Sequence, residues 1–227
     1  MKRQMILGAV LAFFCVPLAR AQYDWHLPDN AGPYFRAGVG PTIYQDGKLR
    51  QFSTPAFSGA QNEPVHYNVG AAVDGAAGYA FDKYFGMDFE TGCLWARINN
   101  VSGYDSKGST IANVPLLVNG TLSLPIRHTN LVPYIGGGAG GAVSVFDGHA
   151  FSDAAQTATA HGNQSDAVFA YQGFAGMKFM VGPNVALGVD YKYFATGNPA
   201  FGYSHNLNVA FDGVQTHTVL LTLEFLF

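Results

Sequence analysis

A serine and a histidine stand side by side in the stretch GYSHNLN, at Ser204 and His205, and another histidine, His217, opens the final stretch HTVLLTLEFLF. An acyl hydrolase needs a base within hydrogen-bond reach of a hydroxyl and a third group that orients the base. Adjacent residues of an extended chain point to opposite sides, so Ser204 and His205 do not pair readily and read as part of a polar loop. His149 and His161 share a segment with Asp147, Asp153 and Asp166, but no short repeated ligand spacing appears and no cysteine joins them. Solvated loop histidines are the expectation, and no metal. The run IGGGAGG, Ile135 to Gly141, lacks the following Lys-Ser/Thr and the helical pattern of a phosphate-binding loop. Glycine within a strand instead permits close approach or a sharp bend, so this run is expected to shape a strand whose neighbours press large side chains inward. The expectation is therefore no catalytic residue, no cofactor and no metal.

What must these residues be mounted on? Of 227 residues, 28 are glycine, 14% are aromatic and only 12% are charged, a mixture that favours strands and turns. Lys2 and Arg3 precede an apolar run from Met5 to Leu18, and Ala19-Arg20-Ala21 follows. That pattern predicts a secretory signal peptide over residues 1–21, since a run broken by Pro17 is too short to span a bilayer as a helix. Cleavage would remove Lys2, Arg3 and Arg20 and no acid, leaving 9 bases against 15 acids and a net charge of −6. Such a chain has no basic stripe for nucleic acid. Cys93 would then be alone, so no intrachain disulfide is expected.

After a leader over residues 22–32, the chain divides into eight stretches of strand character: Tyr34–Tyr44, Tyr67–Phe81, Tyr84–Ala96, Thr110–Leu124, Leu131–Phe146, Asp166–Met180, Asn184–Ala195 and Gln215–Phe227. The connections alternate long and short, beginning and ending long. An antiparallel barrel in the bacterial outer membrane requires that order, with long loops outside and short turns in the periplasm. Sorting side chains by parity sharpens the point. In the last strand Val219, Leu221, Leu223, Phe225 and Phe227 share one face against Thr218, Thr222 and Glu224, with Leu220 and Leu226 as exceptions. The third strand sets Phe85, Met87, Phe89 and Trp95 against Asp88 and Glu90, and the seventh sets Val185, Leu187, Val189, Tyr191 and Tyr193 against Asp190 and Lys192.

The polar face is rich in glycine and carries few, opposed charges: Arg36, Lys178 and Lys192 against Asp74, Asp88, Glu90, Asp190 and Glu224. Small residues and scarce opposite charges suit a narrow enclosed interior better than a solvated surface. For Glu224 the partner is Arg36, Lys178 or Lys192. Aromatics near strand ends, Tyr34, Tyr44, Tyr67, Tyr79, Tyr84, Trp95, Tyr134 and Tyr193, are expected in interfacial girdles. The resulting fold class is all-β, an eight-stranded antiparallel transmembrane barrel over residues 33–227 with four longer extracellular loops and a lumen filled by side chains.

The segments LVPYIGGGAGGAV, GFAGMKFMVGPNVALGVDYKYFAT and HTVLLTLEFLF resemble the small outer-membrane barrels of the OmpA-like and opacity-protein-like superfamily. The resemblance implies surface exposure in the bacterial outer membrane, contact with outer-membrane lipid and lipopolysaccharide, and a structural, adhesive or surface-interaction role carried by the loops, with a host or cell-surface ligand as partner. It also implies that Phe225 and the terminal Phe227 act as the signal read by the outer-membrane assembly machinery. Some barrels of this kind act on lipid A, so a lipid A-modifying acyl hydrolase and a narrow solute pore stand as alternatives. The Ser204-His205 order is the reverse of the deacylase His-x-Ser arrangement.

Overall fold

The computed structural model describes residues 31–54, 57–101, 104–105, 109–147, 151–153, 159–160, 163–203 and 207–227. The expected signal peptide, nearly all of the leader, and His149, His161, Ser204 and His205 lie outside them.

Eight long strands form the wall: Gly32–Tyr44, Gly70–Ala80, Phe85–Val101, Thr110–Ser123, Leu131–Asp147, Asn163–Met180, Val185–Thr196 and Gln215–Leu226. Each runs antiparallel to its sequence neighbour in the wall, and the first pairs with the eighth, Arg36 opposite Glu224 and Tyr44 opposite Thr216. The ring is closed, so the wall has no free edge to leave backbone groups unpaired in hydrocarbon. The strands run 11 to 18 residues, and about 9–11 suffice to cross a bilayer at the usual tilt.

The faces sort as the alternation requires. Leu221 is 66% exposed and Thr222 beside it 6%. Phe35, Phe89, Phe169, Leu187 and Phe225 share the outer, exposed surface. Three tight turns join strands at one end. At residues 81–84 the Asp82 Oδ1 accepts hydrogen bonds from the backbone N–H of Tyr84 and Phe85, both at 2.7 Å. Those two donors hold the Asp82 carboxyl below the usual carboxylate range. In the turn at residues 124–130, His128 takes the left-handed conformation with φ 61°.

The other end, where four longer loops are expected, carries further strands. Gly47–Thr54 and Phe57–Tyr67 form a hairpin, Leu207–Phe211 pairs with its first strand, and Ala200–Tyr203 pairs with Leu207–Phe211. The third wall strand, expected to stop at Ala96, continues to Val101, where it meets Phe57–Tyr67. The second starts at Gly70, because Tyr67 belongs to the hairpin instead. A local hairpin and hydrogen bonding to segments far away in sequence together build this extension, and local composition carries no trace of the distant pairing.

Candidate functional site: the filled lumen

Inside the wall the side chains stack in three layers. The middle one is ionic. Arg36, 2% exposed, sends Nη2 to Glu90 Oε2 at 3.4 Å and lies 3.6 Å from Asp88 Oδ2. Lys192 Nζ donates to Glu90 Oε1 at 2.7 Å and also pairs with Asp74. Neutral groups complete the set: Tyr34 donates its hydroxyl to Asp88 Oδ2 at 2.6 Å, and Asn119 Nδ2 donates to Asp88 Oδ1 at 2.7 Å and Glu90 Oε2 at 3.1 Å. Gln172 Nε2 in turn donates to Asn119 Oδ1 at 2.8 Å. The Phe174 ring lies close to both bases, its centroid 5.6 Å from the Arg36 guanidinium and 5.8 Å from Lys192 Nζ. The Tyr134 hydroxyl donates to Asp190, whose other oxygen takes no hydrogen bond.

This layer holds four carboxylates, Asp74, Asp88, Glu90 and Asp190, around two bases. Buried carboxylates are costly unless paired and hydrogen-bonded, and three of the four meet a cation. Asp190 meets only a tyrosine among the described hydrogen bonds and ion pairs. The remaining two charges of the lumen pair nearer the tight turns: Lys178 Nζ donates to Glu224 Oε1 at 2.8 Å and lies 4.8 Å from the Tyr134 ring centroid. Of the three bases open to Glu224, its partner is therefore Lys178. Below that pair, Val132, Met180 and Ala186 pack with Leu226, which accounts for that strand's second exception to alternation.

Toward the extension the lumen becomes apolar. Tyr44, Leu94, Ile111, Leu117, Phe194 and Leu220 form one buried cluster. Leu220, out of pattern in the sequence, is 1% exposed because it fills this layer. A short hydrogen-bond chain crosses the layer: Ser144 Oγ donates to Asn113 Oδ1 at 2.7 Å, Asn113 Nδ2 to Tyr44 Oη at 3.2 Å, and Tyr44 Oη to the Leu94 carbonyl at 2.8 Å. Those three side chains are bound to one another or to backbone, and the rest of the layer is mostly apolar, a poor site for a passing ion.

The glycine run of the fifth strand makes room for these side chains. A Cβ at Gly136 would overlap the Phe174 ring, and one at Gly138 would overlap the Asn119 amide. Glycine thus lets neighbouring strands project a ring and an amide across the lumen.

All eight charges singled out in the sequence line this interior. Sequence reasoning missed Phe174 and Asn119, set Gln172 on the polar face of the sixth strand against Phe169 and Tyr171, and misplaced four tyrosines. Tyr34, Tyr44 and Tyr134, expected in the girdles, are buried at 8%, 3% and 3% exposure. Parity was the signal available: Tyr34 alternates in step with Arg36, and Tyr44 follows it. Tyr67, also expected in a girdle, packs against the buried apolar cluster, whereas Tyr79, Tyr84 and Trp95 do face outward. Phe225 and Phe227 lie on the outer surface, Phe227 as its last exposed ring. Among the described residues no cluster of three or more His, Cys, Asp or Glu is placed to hold a metal.

A family model described as an outer membrane protein β-barrel domain matches residues 6–227. No curated protein matches the sequence. Solved structures with the same fold include the Pseudomonas aeruginosa outer membrane protein OprG, 14% identical over 86% of this chain and 96% of that one, with a TM-score of 0.56. Neisserial surface protein A is 14% identical over 87% of this chain and 99% of that one, TM-score 0.50. AlkL, solved by solid-state NMR in lipid bilayers, is 15% identical over 93% and 95%, TM-score 0.50. Identities this low speak for the shared fold alone.

Proposed function

The chain belongs to the outer membrane protein β-barrel domain family, and from that premise we propose that it is a non-enzymatic, closed surface barrel whose external β-extension carries recognition. The observation that supports this is the double filling of the lumen, ionic in the middle and apolar toward the outside. An ion entering from outside would first shed water against Leu94, Phe194 and Leu220, and then meet carboxylates and bases already bound to one another. A barrel sealed in this way anchors and displays; it does not conduct. The extension is suited to display, because pairing among Gly47–Thr54, Phe57–Tyr67 and Leu207–Phe211 holds those segments together in place of separate loops.

The test is electrical. The full barrel reconstituted in a planar bilayer is expected to show no steady conductance; reproducible single-channel steps would replace this reading with the solute pore. Lipid A from cells with and without the protein is expected to have the same mass, and an acyl chain lost or gained would restore the hydrolase.

A further inference from the structure

His217 faces outward from the eighth strand near the extracellular end, opposite Tyr193 of the seventh strand and Ile43 of the first. Polar groups there would be costly against hydrocarbon alone. The Tyr191 hydroxyl lies 2.6 Å from His217 Nδ1, and the Gln45 side-chain amide reaches Nε2. The Tyr191 and Tyr193 ring centroids lie 6.0 and 5.4 Å from the imidazole. Tyr171 on the sixth strand extends the band, two residues from Gly173, the register partner of Tyr193, and both Tyr171 and Tyr191 remain 47% exposed. Gln45, His217, the two tyrosines of the seventh strand and Tyr171 thus cross four neighbouring strands, roughly 14 Å at about 4.8 Å per strand.

We infer that this band is a docking site for the sugar head of an outer-leaflet glycolipid. The inference rests on the placement of the barrel in the outer membrane and not on its loops or its sealed lumen. Location selects the occupant: an outward face at the extracellular end of an outer-membrane barrel meets the headgroups of the outer leaflet. Chemistry selects the part of the headgroup. None of the five side chains is an arginine or a lysine, the residues that recognition of phosphate favours. Hydroxyls, an amide and an imidazole exchange hydrogen bonds with sugar hydroxyls, and aromatic faces cover the apolar faces of pyranose rings. The wall strand across the barrel presents Trp95 outward, which serves as a control.

The test uses the full barrel in phosphatidylethanolamine nanodiscs containing lipopolysaccharide or dephosphorylated lipid A, with retained glycolipid counted by native mass spectrometry after detergent release. The wild type and Trp95→Phe are expected to retain both glycolipids. His217→Leu, which keeps the wall apolar, and Gln45→Ala are each expected to lower retention about tenfold, the loss of a hydrogen-bonded contact or two. Heat-modifiable gel mobility verifies that each variant has folded, and Gln45→Ala carries the test if His217→Leu does not fold. Equal retention by wild type and the folded variants would overturn the sugar site. Retention that disappears when the phosphates are removed would overturn it too, in favour of a phosphate contact.

Discussion

The ionic and apolar layers of the lumen are enclosed by the same eight strands, yet they hold the barrel shut by opposite means. Around Arg36 and Lys192 each charge is tolerable only because its partners are present, so the layer is specific and fragile. Around Leu94, Phe194 and Leu220 the contacts are many, weak and non-directional, so the layer insulates and yields gradually. The difference teaches that sealing and uniqueness are separate properties of one interior: apolar packing keeps ions out, and the ion pairs specify which side chains meet across the barrel.

Substitutions can break that contrast. The largest effect is expected from Arg36→Met, which leaves four buried carboxylates with Lys192 alone; breaking such a network costs about 3–5 kcal/mol. Urea unfolding in lipid vesicles measures it, and a loss near zero would mean the layer is not a network. Next comes Leu220→Ala in the apolar layer, expected to cost about 3 kcal/mol by the same assay through lost burial and the cavity left behind. Conductance should stay absent, because the ionic layer remains. Asp190→Asn is expected to change stability by less than about 1 kcal/mol, since the amide oxygen still accepts from Tyr134 while one of four neighbouring negative charges is removed. A loss as large as that of Arg36→Met would show that the carboxylate of Asp190 is a working member of the network. The smallest effect lies outside the lumen. Asp82 in its turn has a folded-state pKa below the unfolded value, so its contribution is present above about pH 4 and is lost as pH falls through the lowered value. Comparing wild type with Asp82→Ala across that range should show a small gap at neutral pH that closes in acid.

Much of the wall was legible in residue order. Period-two alternation identifies the outer face because lipid favours apolar side chains there, and short connections announce themselves at Asp82-Lys83 and Val181–Pro183. The eight lumen charges follow from the same parity. Tyr34, Tyr44 and Tyr134 were read by their nearness to strand ends, when their position in the alternation already aimed them inward. Phe174 shares its alternation with Gln172 and Lys178, but a phenylalanine on the polar face is intelligible only once Gly136 leaves space for it and two bases lie near its ring. The extension was illegible for a different reason. Gly47–Thr54 becomes a strand by pairing with Leu207–Phe211, on the far side of the chain.

Sequence alone determined which side of each strand meets lipid, because alternation is a property of consecutive residues and the membrane enforces it locally. It also determined that opposed charges share an interior. Only the closed barrel decided that Glu224 pairs with Lys178, that Arg36 and Lys192 divide Glu90 between them, and that Leu220 belongs inside. Those outcomes depend on the stagger and tilt with which eight strands close, and on which side chains that closure brings within a few ångströms across a lumen. No window of consecutive residues contains that information.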